Sequence, residues 1–542
     1  MSPSATAPIV NWDALTPVLF ILGAGVLGVL VEAFIARPAR LVIQTGLSFL
    51  AILASGVSLF LRWGEVKAAG AAAAAEPQFQ LPEGFLPGAR MSAGLTEDPF
   101  SIAAQGILLV IGLLAVLVMA DRTTVGDGAF AAQAADRPGS AEESESTRAG
   151  WTTTEVFPLA LFCLAGMMLF PAVGDLISLF VTLEMVSLPL YVLAATARHR
   201  RLLSQEAALK YLVLGAFASA LLLMGAALLY GVAGSVDYAT ISAAMRQAQG
   251  GWMSLAGITL VTVGLLFKVA VVPFHAWSPD VYQGAPTPVT GLMAAGVKAT
   301  AFLALLRFFL SIGYLVVDDL KPVLWALAVL TMLVGTVVGV VQKDVKRLLA
   351  YSAIAHAGYM LIAVTALDQV AVVGLVFYAL AYGVATVGAF GVVTLVRTYH
   401  GGGVGPSGAA GAEATGLRAY RGLARRSPWL AGAMAVFLLS LAGIPLTAGF
   451  MGKFIVFLAG VGAGATWIVV VAVASSVATA FFYMRLIVLM FFHDPEDQDV
   501  VVVGSTGLSM AAIGLAALLT VTMGVLPQAV LETLLQAAML IS

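Results

Sequence analysis

The strongest constraint on this chain is a series of apolar runs, each roughly 20 residues long, recurring almost from end to end. Taken at that length they predict fourteen membrane spans, at approximately 14–35, 41–62, 99–120, 156–173, 175–196, 206–231, 253–275, 288–313, 322–342, 347–366, 370–398, 429–460, 465–491 and 507–527. Helices of this length satisfy their own backbone in hydrocarbon, whereas barrel strands would appear as short alternating segments. The predicted fold class is therefore an all-α polytopic membrane protein. Composition agrees: 61% of the 542 residues are hydrophobic and only 10% are charged, too few to clothe several soluble cores. Met1 to Val18 contains no Lys or Arg, so the first run is expected to stay as a helix rather than be cleaved as a signal peptide.

Charge placement gives an orientation. With the N-terminus outside, the cytoplasmic loops carry Arg37, Arg40, Arg122, Arg137, Arg148, Arg198, Arg200, Arg201, Lys343, Lys346, Arg347, Arg418, Arg421, Arg425 and Arg426. The opposite loops carry only Lys67, Arg90, Arg246 and Lys321. This bias predicts both termini on the outer side of the membrane and an even number of spans. An Ala-rich linker at 68–90, an acidic Ser-rich one at 121–150 and a Gly-rich one at 401–416 are expected to be flexible surface.

Other chemistries are excluded by supply. A net charge of -2 leaves no basic surface for nucleic acid, and Cys163 is the single thiol, so disulfides and cysteine-ligated clusters are out of reach. His199, His400 and His493 lie in polar, loop-like contexts. His275 and His356 lack the paired spacing of a haem site and are expected to line a wet interior path.

The informative residues are ionisable groups at membrane depth, each costing about 2.5–3.5 kcal/mol to insert. Glu184 lies in the middle of the fifth span, in DLISLFVTLEMVSLPLYVLAA, with no snorkelling escape. Lys268 lies in GLLFKVAVVPFHAWSPDVY, where Pro273 breaks the seventh span and His275 follows; freed carbonyls at such a break call for water or an ion. His275 is read as a proton-passing group or as one that satisfies the broken backbone. Lys298 is mid-span in YQGAPTPVTGLMAAGVKAT, among small residues. Lys210 is one turn from the predicted start of the sixth span, where its stem reaches the surface as easily as the interior. Arg307 is expected to anchor at the interface or make a structural pair.

The second half repeats the plan. Pro445 breaks the twelfth span in LSLAGIPLTAGFMGKF, with Lys453 beyond it, and His356 sits at the centre of the tenth in RLLAYSAIAHAGYM. The interval from Glu184 to His356 equals that from Pro273 to Pro445, 172 residues in each case. With an odd number of spans per unit, this predicts two inverted five-helix repeats, spans 4–8 and 9–13. The expected organisation is spans 1–3 (1–122), a loop (123–155), the first repeat (156–313), the second repeat (314–492, with the loop 401–427), and a last span with its tail (493–542). The lysines do not follow the period: Lys268 precedes its proline and Lys453 follows its own.

One acid, several lysines and two histidines in series describe a switchable proton relay, because burial disfavours a charged group and a nearby opposite charge favours it. Lysines without a cage of carboxylates or carbonyls favour protons over sodium.

The strings around Lys268, Pro273 and His275, the APTP before Lys298, AYSAIAHAGYM and GIPLTAGFMGKF resemble the antiporter-like membrane subunits of respiratory complex I, the proton-pumping NADH:quinone oxidoreductase. The resemblance covers approximately spans 4–13. One of the three such subunits typically has a glutamate in place of Lys453, and another has a long lateral helix; this chain is similar to the third. The resemblance implies two half-channels joined by a polar axis. Glu184 would control Lys268, Lys298 would connect, Lys453 would exchange protons at the far side, and His275 and His356 would lie on the axis. It further implies that the chain is a non-redox part of a translocase. NADH, FMN, iron–sulfur clusters and quinone would sit in partner subunits, and a neighbouring antiporter-like subunit, small membrane subunits and the bilayer would surround it. The long loops 121–150 and 401–427 depart from the compact family pattern. A multisubunit cation/proton antiporter is the alternative of another class, and a solute carrier or passive scaffold the bland one.

Overall fold

The computed structural model describes residues 10–75, 89–92, 94–122, 128–247, 251–399, 410–496 and 500–538. The first three spans are α1 (Trp12–Phe34), α2 (Arg37–Ala75) and α3 (Pro99–Ala120); a short α4 (Ala141–Arg148) precedes α5 (Val156–Leu169), which a 3-10 turn continues to Ala172. Next come α6 (Leu176–Ala194), α7 (Arg201–Ala233), a connecting α8 (Tyr238–Gln247), and α9 (Trp252–Lys268), which breaks and resumes as α10 (Trp277–Gly284). A π-helical turn, Met293–Val297, joins α11 (Thr287–Leu292) to α12 (Lys298–Ser311). The second half holds α13 (Val317–Val340), α14 (Val345–Ala366), α15 (Gln369–Leu395), a one-turn α16 (Leu423–Arg426), and the broken pair α17 (Pro428–Ala442) and α18 (Ala448–Gly462). It closes with α19 (Thr466–Phe492), α20 (Leu508–Val525) and α21 (Gln528–Ala538).

Among the described residues, eleven helices are long and apolar enough to cross a membrane; with α5, the α9–α10 pair and the α17–α18 pair they account for all fourteen predicted spans. Both predicted breaks are present, and the chain is a multi-pass membrane protein.

Burial sorts the helices by role. The segment from α11 to α12, together with α14 and α15, is enclosed almost entirely, whereas α1, α2, α7, α13 and α19 turn apolar residues such as Leu50, Leu212 and Val477 outward. Helix α15 is the hub, packed on α3, α11, α17, α18 and α20. Small residues set the closest approaches, because hydrocarbon supplies no hydrophobic drive between helices. A Cβ on Gly335 of α13 would lie 2.5 Å from the Ala355 nitrogen of α14, and one on Gly358 would lie 2.5 Å from Met332.

The loops segregate onto two faces, as alternation of spans requires. On the cation-rich face Arg37 stacks over Trp151, Phe130 bridges Ala197, and Asp344 bridges Gly416. On the other, the Gly174 amide donates to Gly94 and Asp175 bridges Asp237.

The bundle is all-α, as expected, and strands occur only in its surface loops: a hairpin of β1 (Ala89–Ser92) and β2 (Leu95–Glu97) lies on one face, and a three-stranded antiparallel sheet, β4 (Ala410–Glu413), β3 (Val396–Tyr399) and β5 (Val500–Val502), lies on the other. Two expectations about the loops need correction. The 121–150 loop is packed in its described part: Phe130 is buried, and Arg201 donates to the carbonyls of Gln133, Ala134 and Asp136 at 3.0–3.1 Å. The described end of the Gly-rich segment is strand β4, and the described start of the Ala-rich linker continues helix α2; residues 76–88 and 400–409, with His400, lie outside the described residues.

Candidate functional site

Two clusters gather the ionisable residues. In the first, Lys268 is the last residue of α9, and its ammonium donates to Ser187 at 2.6 Å. The rings of Tyr211 and Tyr191 face it at 5.4 and 5.6 Å, a cage that stabilises a cation away from water. Glu184 lies one turn before Ser187 on the same face of α6 and accepts from Ser219 of α7. The acid and the lysine thus meet through a turn of α6 rather than through a direct ion pair, and Glu184 is only half-buried.

The second cluster is larger. Lys298, set at the end of the π-turn, donates to the Ala353 carbonyl of α14 and lies 5.9 Å from the Tyr382 ring. π-turns interrupt the regular ladder and recur at functional positions. One turn beyond Ala353, His356 is hydrogen-bonded to Tyr378 at 2.6 Å through Nδ1 and to Tyr483 at 3.3 Å through Nε2. Its ring packs against Tyr382 at 5.0 Å and Tyr359 at 5.6 Å, and Tyr359 in turn lies 5.0 Å from the Lys453 ammonium. Lys453 donates to Leu441 and Ala442 carbonyls at 2.9 and 3.0 Å and to Ser476 at 2.8 Å. Lys298, His356 and Lys453 are buried, on one connected line of polar and aromatic side chains.

This geometry resolves the uneven spacing of the lysines. Lys268 ends the first half of its broken helix, and Lys453, although in the second half, reaches back across the break to the carbonyl end of α17. Both lysines are thereby tied to the C-terminal end of a first half-helix: Lys268 is the last residue of α9, and the Lys453 ammonium takes up the α17 carbonyls that the break leaves unpaired. Sequence distance to the proline obscured this equivalence.

Three predicted residues lie elsewhere. His275 is half-exposed in the 269–276 break, beside exposed Pro273; its Nδ1 is buried without a hydrogen-bond partner, and no bond joins it to His356 or Lys268. It stands apart from the Lys298–His356–Lys453 line, at the end of the break where Pro273 and Ala276 are exposed. Lys210 is nine residues into α7, which starts at Arg201 rather than 206, and its half-exposed ammonium pairs with Glu206 at 2.7 Å and Asp280 at 2.8 Å. Asp280 also pairs with Arg347 at 2.8 Å, so Lys210 belongs to a network near the cation-rich face. Arg307, expected as an anchor or structural pair, makes a buried pair with Asp98 at 2.8 Å.

The hydroxyl partners were missed by sequence reading. Their signal was present: Ser475, Thr479 and Tyr483 recur every fourth residue along α19, as Tyr378 and Tyr382 do on α15.

Comparison with known proteins gives a consistent answer. Residues 173–479, more than half of the chain, match the family described as NADH:quinone oxidoreductase/Mrp antiporter transmembrane subunits. The NADH-quinone oxidoreductase subunit N of Beutenbergia cavernae is 48% identical over 98% of each chain. A chain of respiratory complex I from Thermus thermophilus is 32% identical with a TM-score of 0.71, covering 95% of this chain and 98% of that one. A chain of the Mrp complex from Dietzia, 22% identical with a TM-score of 0.71 over 98% of this chain and 97% of its own, shares the fold. The chain therefore belongs to the NADH:quinone oxidoreductase/Mrp antiporter family of transmembrane subunits, and within it to the antiporter-like N-type branch.

Proposed function

We propose that the chain carries protons across a bacterial plasma membrane through Glu184, Lys268, Lys298, His356 and Lys453, driven by redox chemistry in the other subunits of a complex I. The observation that carries this reading is the buried line from Lys298 through His356 to Lys453. Each ammonium is held by few partners, Lys298 by the Ala353 carbonyl and Lys453 by the Leu441 and Ala442 carbonyls and Ser476, so a small shift of those partners changes how firmly the proton is held. His356 lies between two phenol hydroxyls, so either ring nitrogen can give or receive.

The first cluster supplies the switch. Displacing Glu184 from Ser219 toward Ser187 strengthens its hold on the Lys268 proton, and returning it weakens that hold. Passage between the clusters runs through water, because no direct hydrogen bond joins Lys268 to Lys298 among the described residues. His275 and Lys210 are left out of this path. The two five-helix units, 156–313 and 314–492, are the two halves of the channel, and the cation-rich face is the cytoplasmic one.

The partners follow from the relatives' names and chemistry. A single buried cysteine supplies no cluster ligands, so NADH, FMN, iron–sulfur clusters and quinone belong to neighbouring subunits, and this chain is the non-redox part of the translocase. The direct test is to tag the C-terminus, extract native membranes in mild detergent and assay the purified assembly. A large complex with inhibitor-sensitive NADH:quinone reductase activity is expected. A small intact assembly without that activity would favour the cation/proton antiporter and would contradict this reading.

A further inference from the structure

On the cation-rich face, a narrow crevice with room for about one water molecule opens between the α6–α7 turn, the α10–α11 turn, the head of α14 and strand β4. Lys346 lines it. Its side chain is 2% exposed; the ammonium donates to the Ala285 carbonyl at 2.7 Å and lies 3.9 Å from a carboxylate oxygen of Glu413. Glu413 ends β4, accepts from the Thr287 hydroxyl and is 17% exposed, so it touches solvent on one side and a buried ammonium on the other. Neither residue belongs to the five-residue relay.

Their position connects them to it. Lys346 and Ala353 lie on one face of α14, seven residues or about 10 Å apart, and Ala353 is the residue whose carbonyl holds Lys298. The Ala285 carbonyl that holds Lys346 also meets the hydroxyl of Thr290 at 3.5 Å, on the segment that runs through the π-turn to Lys298. Lys298 thus reaches from α12 to α14, and Lys346 from α14 to the α10–α11 turn, their α14 contacts two helical turns apart. Arg198, His199, Arg200 and Arg397 share the crevice, and Asp344 accepts from Thr415 beside it.

We propose that Glu413 and Lys346 form the proton-loading port of the relay, an inference that rests on the relay reading above. The Glu413 carboxylate takes a proton from water in the crevice and passes it to the Lys346 amine, which returns Glu413 to its carboxylate. The resulting ammonium releases the proton to water, which carries it the two helical turns to Lys298 and leaves Lys346 as the amine. The competing role is structural, with Glu413 only pinning β4 over the helix ends.

The test uses the assembled complex in vesicles, with proton pumping measured from about pH 6 to about pH 8.5. Glu413→Gln keeps the acceptor for Thr287 and the side-chain shape but cannot carry a proton. Its pumping is expected to fall at least about tenfold at the alkaline end and by less than about twofold at the acid end, where protons reach Lys346 without a carrier. Thr415→Val loosens the same loop without removing a titratable group, and its effect is expected to be flat with pH. Wild-type pumping by Glu413→Gln at every pH, or a flat loss equal to that of Thr415→Val, overturns the port. Lys268→Ala, measured in parallel, separates the two claims: its failure to pump beside a normal Glu413→Gln sinks the port alone, whereas its normal pumping sinks the relay itself. If Glu413→Gln does not accumulate, Glu413→Asp replaces it; a wild-type pH profile is expected, and a flat loss contradicts the port.

Discussion

Lys268→Ala is expected to leave the complex assembled but to lower proton pumping and quinone-coupled NADH oxidation together by at least about tenfold, the low side of what a positioned proton donor contributes. NADH oxidation by an artificial acceptor should be unchanged, since that chemistry lies in other subunits. Assembly survives because the deletion leaves Ser187 bonded to Leu183 and Glu184 bonded to Ser219, so no charge is stranded. Lys268→Arg decides between relay and packing. Arginine keeps the cation, the hydrogen bond to Ser187 and the aromatic faces, but does not release its proton in a protein. The relay account predicts that it pumps no better than the alanine variant. Recovery by arginine would make Lys268 a structural cation.

Arg307→Ala should do the reverse, removing the protein rather than its turnover. Arg307 and Asp98 are 2% and 3% exposed, and Arg307 also holds the Pro171 carbonyl at the end of the fourth span. Asp98 in turn caps α3 through the Ser101 amide at 2.7 Å. Truncating the arginine leaves a buried carboxylate without its counterion, a loss of about 3–5 kcal/mol. Little full-length chain is expected in the membrane, and any complex recovered should inactivate at a lower temperature. Asp98→Asn combined with Arg307→Met should accumulate better than Arg307→Ala alone, because the stranded charge is gone. Lys210→Ala is the contrast: its pair is half-exposed, worth about 0–1 kcal/mol, and accumulation should not change.

These two lysines and the arginine show what one-dimensional reading recovers. Span number and the two breaks were legible because each span must satisfy its own backbone in hydrocarbon, which leaves a long apolar run for each, and because proline removes a donor wherever it falls. Lys298, His356 and Lys453 were legible for a related reason: a charge at membrane depth has no cheap explanation. Direction within the bundle was not. His275 has the same chemistry as His356, yet one lies half-exposed at a break and the other on an enclosed helix, a difference set by tertiary packing alone. Lys453 looked displaced because α18 turns it back toward α17. The strands escaped notice because Val396–Tyr399 and Val500–Val502 are only four and three residues long, read as helix end and loop until they pair. The Lys346–Glu413 contact joins residues 67 apart, one of them in a segment that composition marks as flexible.

The central claim is that the buried groups act in series on one path, and a double-mutant comparison tests it most directly. Lys298→Met and Lys453→Met, singly and together, would be measured as protons moved per NADH oxidised in sealed vesicles. Steps on one path do not add, so the double variant should pump no less than the weaker single variant. Losses that multiply, or wild-type pumping in either single variant, would contradict a single relay through this chain.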